Sequence, residues 1–248
     1  MKYKSIFSNT IYLIILSISL FFFYSCSDVN KKLFNAIEDN DLETVKELIK
    51  QKVNLNVTNS EGNAAIIYAV QLNRRRITEL MLSTDLDIKV RDNNETSLLM
   101  WICKQSGIDL IGNIIERDVT INDADNFGKT PFMYASESGY IDAVMILIKK
   151  GAYINAQDNE GNTAIMLSLK NKQESITRLL RDNKAMLNIK NNAGETALII
   201  ASENGLDESV QILLEGGADK NIKDNKYKTA LSIAKERGFN KIIDLLSK

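Results

Sequence analysis

The stretch Thr130–Asp158 reads T-P-F-M-Y-A-S-E-S-G-Y-I-D-A-V-M-I-L-I-K-K-G-A-Y-I-N-A-Q-D. Its apolar residues fall in two groups, around Phe132 to Ala135 and at Val144, Leu147 and Ile148, with Gly139 between them and Gly151 after the second. Apolar residues three and four apart mark one face of a helix, and glycine marks the turn that ends one. Steps of 33 residues in either direction find the same unit again. The threonine column runs Lys31, Ala64, Ser97, Thr130, Thr163, Thr196 and Thr229. The alanine column runs Ala36, Ala69, Ile102, Ala135, Ser168, Ala201 and Ala234. The closing column runs Asn59, Asp92, Asp125, Asp158, Asn191 and Asp224, with Asn56, Lys89, Asn122, Asn155, Asn188 and Asn221 three residues before it. No insertion or deletion breaks the register from residue 31 to 248.

Thr130, Pro131, Phe132, Ala135, Gly139, Gly151, Ala152, Asn155 and Asp158 make the unit resemble a repeat of the ankyrin family. The family pattern is a T-P-L-H-x-A opening, a helix, a tight turn, a second helix and G-A-D-x-N. The resemblance implies an all-α solenoid of stacked helix-turn-helix units, with six full repeats and a truncated seventh ending at Lys248. One departure is systematic. The family histidine is replaced by Ile67, Met100, Met133, Met166, Ile199 and Ser232. That histidine links neighbouring repeats by hydrogen bonds, and apolar packing is expected in its place.

The patterning agrees. Ile66, Leu99, Phe132, Ile165, Leu198 and Leu231 form one apolar column of the first helices. Tyr68, Trp101, Tyr134, Leu167, Ile200 and Ile233 form a second. The second helices carry Val45, Leu48 and Ile49, and their counterparts Ile111, Ile114 and Ile115, Val144, Leu147 and Ile148, and Val210, Leu213 and Leu214. A helix pair is too small to bury its own apolar face, so neighbours must stack. Acidic residues open several second helices, at Glu43, Asp109, Asp142 and Glu208, and complement the helix dipole. Gly139, Gly205 and Gly238 are expected to end first helices in a left-handed conformation, and Gly151 and Gly217 second helices. Lys52, Asp85, Asp118 and Lys184 occupy that second site in other units. The first unit is polar early, at Asn35, Glu38, Asp39, Asn40 and Asp41, as an end repeat should be.

Residues 1–25 read as a targeting segment. Lys2 and Lys4 give a positive start, Ile11 to Phe23 is an apolar run broken by two serines, and Tyr24-Ser25-Cys26 follows. The end of the run resembles a bacterial lipoprotein processing site, in which the cysteine becomes the lipid-bearing first residue. The resemblance implies lipid attachment at Cys26, with residues 26–30 as a lipidated N-terminus and short tether and 31–248 as the repeat domain. An uncleaved anchor and ordinary secretion are the alternatives, although the apolar run is short of the roughly 20 residues a membrane span needs. All three place the repeats outside the cytoplasm, because the positive flank stays inside, and the lipid-anchored reading places them in the cell envelope, on the periplasmic or cell-surface side.

The composition excludes several chemistries. Of 31 Lys plus Arg, Lys2 and Lys4 lie in the leader, which leaves 29 against 32 Asp plus Glu and a net charge of −3. A domain without basic excess has no electrostatic footprint for nucleic acid. There is no histidine, the commonest general base and metal ligand. Cys26 and Cys103 form no zinc-type cluster, and Cys103 reads as a packing thiol. Ser136, Ser138 and Ser168 have no base at hand, and loop residues such as Asp125 and Asn126 read as turn formers rather than metal ligands. No catalytic residue, metal site or cofactor is expected.

Two surface features remain. Arg74, Arg75 and Arg76 open a second helix, where positive charge opposes the dipole. They read as a solvated face or as a contact for anionic head groups or an acidic partner. The second feature is the row of hairpin tips and first-helix ends, the partner-binding face that the resemblance implies. Its central members are Asn93, Asn94, Asn126, Phe127, Lys129, Glu137, Asn159, Glu160 and Asn162, flanked by Lys104 and Lys170. Phe127 stands out, because neither turn nor core asks for an aromatic there. The expectation is a monomeric, membrane-anchored scaffold that binds an unnamed protein partner. The alternatives are a membrane-organising protein that grips lipid through Arg74 to Arg76, and an enzyme with a site the sequence does not reveal.

Overall fold

The computed structural model describes residues 28–105, 108–117 and 119–248. The leader and Cys26 lie outside this range, as does Asp118. The chain divides into two compact units, Met1–Asp87 and Ile88–Lys248.

The first unit holds α1 (28–38), α2 (Leu42–Lys50), α3 (Ala65–Gln71) and α4 (Arg75–Leu82). Residues 28–30, expected in the tether, are already helical. Phe34 of α1 meets Tyr68 of α3 edge-on, with ring centroids 5.8 Å apart, and Leu33, Ile37, Val45, Leu48 and Ile77 are buried.

The second unit alternates long-axis partners in two layers. First helices α5 (Leu98–Lys104), α7 (Pro131–Ser138), α9 (Ala164–Lys170), α11 (Ala197–Glu203) and α13 (Ala230–Arg237) pack in series. Second helices α6 (Ile108–Ile115), α8 (Ile141–Lys149), α10 (Glu174–Asp182), α12 (Asp207–Glu215) and α14 (Asn240–Ser247) pack in a parallel series behind them. This is the helix-turn-helix solenoid the register requires. Its core is the predicted set of columns: Leu99, Phe132, Ile165 and Leu198 are at most 2% exposed. The positions that depart from the family pattern are sealed as well. Ile67, Met100, Met133 and Met166 are fully buried, and Ile199 is 1% exposed. Apolar packing has replaced the histidine at all of them. Ser232 follows a different course and caps α13 reciprocally with Thr229, at 2.9 and 3.2 Å.

Four first helices start on side-chain caps, whereas α3 and α9 do not. Ser97, Thr130, Thr196 and Thr229 each accept from the main-chain N–H three residues on. The second helices α8, α10 and α12 lack such a cap and carry acidic residues in their first turn instead, Asp142, Glu174 and Asp207 among them.

A further ladder joins the loops that follow the second helices. The Oδ1 atoms of Asn56, Asn122, Asn155 and Asn188 accept from the N–H groups of Asp87, Tyr153, Met186 and Asp219, each in the next repeat, at 2.8–3.0 Å. Lys89 stands in this column, and a lysine side chain has no acceptor for such a bond.

The turns correct one expectation. Lys52 and Lys184 are left-handed, with φ 57° and 62°, like Gly151 and Gly217 at 88° and 86°. Asp85 is not among the left-handed residues. The hydroxyls of Ser83 and Thr84 donate to the Leu80 and Met81 carbonyls at 2.6 and 2.7 Å, which satisfies the end of α4 without a left-handed residue. The first-turn site is also left-handed where no glycine marks it, at Asn40, Asn73 and Lys172.

A lysine held left-handed is strained by roughly 1–2 kcal/mol, partly offset by the greater unfolded-state freedom of glycine. Lys184→Gly should therefore stabilise by about 0.5–1 kcal/mol, while Asp85→Gly should not stabilise at all. Urea titration of both variants checks this, and equal responses would contradict the assignment of the two turns.

Candidate functional site

Each hairpin is built on one side chain. The Oδ1 atoms of Asn59, Asp92, Asp125, Asp158, Asn191 and Asp224 accept from the main-chain N–H groups two and four residues on. For Asp125 the donors are Phe127 and Lys129, both at 2.9 Å. A side chain that bonds its own backbone in this way holds a tight turn. The loop carboxylates and amides are thus turn formers, as the sequence suggested. Two carboxylates use their second oxygen to grip the following first helix, and a third uses it within its own loop. Asp92 accepts from Trp101 Nε1 at 2.9 Å, Asp125 from the Tyr134 hydroxyl at 2.6 Å, and Asp158 from Asn162 Nδ2 at 3.3 Å. Trp101, expected in the core, is only half-buried.

Neighbouring tips are tied to each other. Asn126 N–H donates to the Asn94 carbonyl, Asn159 to Phe127, Asn192 to Glu160 and Asn225 to Ala193, at 2.9–3.0 Å. The side-chain amides of Asn159, Asn192 and Asn225 donate to the carbonyls of Asn126, Asn159 and Asn192, each at 2.9 Å. The backbone that carries Phe127 is therefore held on both sides.

Within a repeat, the tip is braced against the end of its own first helix eight residues on. Lys129 pairs with Glu137 at 2.7 Å, and Lys170 donates to Asn162 Oδ1 at 2.9 Å. Lys228 and Glu236 repeat the arrangement.

These elements enclose a groove of about 880 Å³ in the second unit. Its floor is the buried Tyr134 and Leu167. Phe127, 54% exposed, stands on its rim. Of the residues singled out from sequence, the groove brings together Phe127, Lys129, Glu137, Asn159, Glu160 and Asn162, with Lys104 and Lys170 beside them. Asn93, Asn94 and Asn126 are exposed on the tips outside it. Asn162 differs from the exposed tip residues it was grouped with. It is 1% exposed and bonds Asp158, Glu160, Lys170 and Asn191. The sequence pattern placed Tyr134 and Leu167 in the core, set Ser138 aside as a hydroxyl without a base, and gave no signal for Asn171. The first-helix column that holds Tyr134 is buried on one edge and faces the groove on the other, a distinction periodicity does not make.

The electrostatics favour a binding surface over chemistry. Burial, and then the bond to Asp125, push the Tyr134 phenol well above its ordinary range, so it remains a neutral donor. Burial likewise pushes the Cys103 thiol up and away from its reactive form. The Ser168 hydroxyl donates to the Ile165 carbonyl and that of Ser138 to the Lys104 carbonyl, while Ser136 is fully buried. Among the described residues no cluster of three or more Cys, Asp or Glu is placed to hold a metal.

The arginine run has structural work that the sequence did not reveal. Arg74 Nε donates to the Ile37 carbonyl at 3.1 Å and its Nη2 to the Glu38 carbonyl, which caps the end of α1. Arg75 pairs with Glu79 at 3.0 Å, and Arg76 is exposed.

Loss of a buried hydrogen-bonding group costs about 1–3 kcal/mol, whereas an exposed polar change stays within about 0.5 kcal/mol. Asn162→Ala is expected in the first class and Asn94→Ala in the second. Thermal unfolding of the two variants side by side measures the difference.

Comparison with known proteins agrees with this construction. The family profile described as ankyrin repeats (3 copies) matches residues 17–92, 33–118, 80–158 and 152–224, which together cover well over half of the chain. A protein of Acanthamoeba polyphaga mimivirus named for its ankyrin repeats, L271, is 33% identical over 73 residues, 29% of this chain. The matched segment spans only 10% of that relative. The register, the paired helix layers and the Asx-built hairpins thus have one explanation: the chain belongs to the ankyrin-repeat family.

Proposed function

We propose that this protein is a non-enzymatic scaffold that binds a protein partner through the groove between its hairpin tips and first helices. The supporting observation is Phe127. It is 54% exposed on a loop whose backbone is fixed by Asp125 and by the neighbouring tips. A large apolar side chain on a fixed backbone at the rim of a groove spares the loop's ordering cost on binding, and interface energy concentrates in such aromatic anchors. The regular fold supplies protein binding as a general role, and the groove supplies a place for it.

We further propose that the scaffold works as a single chain held at the cell envelope by lipid on Cys26, on the periplasmic or cell-surface side. The support is the positive start, apolar run and Tyr24-Ser25-Cys26 of the sequence. Lipid gripping by Arg74 to Arg76 is the less favoured reading, because Arg74 and Arg75 already have protein partners.

Phe127→Ala should leave stability within about 0.5 kcal/mol, as for an exposed site. It should weaken a partner captured by crosslinking in native membranes by about 2 kcal/mol or more. A sharp fall in melting temperature would mean that the ring is packed rather than presented. Unchanged affinity would remove the groove as the binding face.

Processing gives an independent test. The mature protein should partition into detergent and show the mass of a lipid-modified Cys26, and Cys26→Ala should accumulate as precursor. A mature N-terminus of unmodified mass would overturn the anchoring proposal without touching the groove.

A further inference from the structure

We infer that the groove is built for an extended protein segment in which an acidic residue sits beside a bulky apolar one. This rests on the protein-binding reading and narrows it to one partner chemistry.

Bonding capacity within the groove is unevenly used. The carboxylates of the groove are already held by protein donors. Glu137 accepts from Lys129 at 2.7 Å and from Asn171 at 3.3 Å. Glu160 accepts from Asn162 at 3.1 Å and lies 4.0 Å from Lys170. Asp158 accepts from two main-chain N–H groups and from Asn162. Lys129 and Lys170 are the matching donors, so they too are engaged.

Lys104 is different. Its Nζ lies 4.7 Å from the centre of the Trp101 ring and 5.8 Å from that of Tyr134. Among the described residues no carboxylate pairs with it. Aromatic faces hold an ammonium in place, but they leave its three N–H donors open to an oxygen acceptor. Lys104 is thus a positioned cation without an anion, at the end of α5 where the groove begins.

The apolar half of the specificity comes from Phe127 and the floor. The Tyr134 hydroxyl donates its proton to Asp125 and so offers a ligand no further donor, while its ring lies on the groove floor. Leu167 adds an aliphatic surface beside it. A partner side chain such as Leu, Phe or Trp would cover these groups while its acidic neighbour meets Lys104. The groove crosses the ends of α5, α7 and α9. At about 10 Å between packed helices it is on the order of 20 Å long, room for about six extended residues. With a net charge of −1 the chain has no general attraction for acid, so the preference must come from the local contact.

The test uses the full chain in mild detergent as bait for a random library of short displayed peptides. Enriched peptides should carry Asp or Glu within two positions of a large apolar residue. For one enriched peptide made synthetically, replacing its acid by the amide should weaken binding about tenfold, as should Lys104→Glu in the protein, a loss of about 1.4 kcal/mol. Lys104→Gln should weaken it in the same direction by less. The amide peptide needs no protein variant, so a misfolded Lys104→Glu would not obscure the result. Peptides that require Phe127 but show no acid preference would overturn this chemistry and leave the groove reading standing. Binding that ignores both Lys104 and Phe127, or no enrichment at all, would overturn both.

Discussion

The structure depends on one small interaction, a side-chain oxygen that accepts two main-chain N–H groups in its own loop. It recurs from Asn59 to Asp224 at every hairpin of the register. Without it the loop would have no internal acceptor for these N–H groups and no fixed shape. With it, each tip has a set direction, and its N–H and carbonyl groups align with those of the next tip. The groove exists because these loops do not move independently.

Stacking supplies the rest. No helix pair here buries its apolar columns alone, and truncation of one large buried side chain in such a core costs about 2–5 kcal/mol. Replacing a polar link between repeats with Met and Ile therefore gives up directional bonds and gains burial. Met100, Met133 and Met166 adapt well to this, since an unbranched thioether fills irregular space. Specificity of alignment then rests on the two asparagine ladders, one along the tips and one along the loops after the second helices.

Surface charge plays a smaller part than its abundance suggests. Most ion pairs, such as Arg178–Glu208 and Arg237–Glu203, are exposed and contribute little each. Their role at the groove is to occupy donors and acceptors, which leaves Lys104 as an exception among the described residues. The same principle changes the reading of the arginine run. Charge opposed to a helix dipole suggested an external partner, yet Arg74 serves the carbonyl end of α1, a helix one repeat away.

The sequence by itself determined the architecture. A period kept over Ala64, Ser97, Thr130 and their successors leaves no other way to bury the apolar columns, and the same period located the left-handed sites at Lys52 and Lys184. It also selected Phe127 and most of the groove wall, because an aromatic at a tip violates the local pattern. Tertiary structure decided whatever depends on bonds between residues far apart in the chain. It buried Asn162 among four polar partners, let the Ser83 and Thr84 hydroxyls end α4 at the expense of a left-handed Asp85, and gave Arg74 to α1. Periodicity says which face a residue occupies. Which atoms it meets across the interface between repeats is set only when the repeats pack.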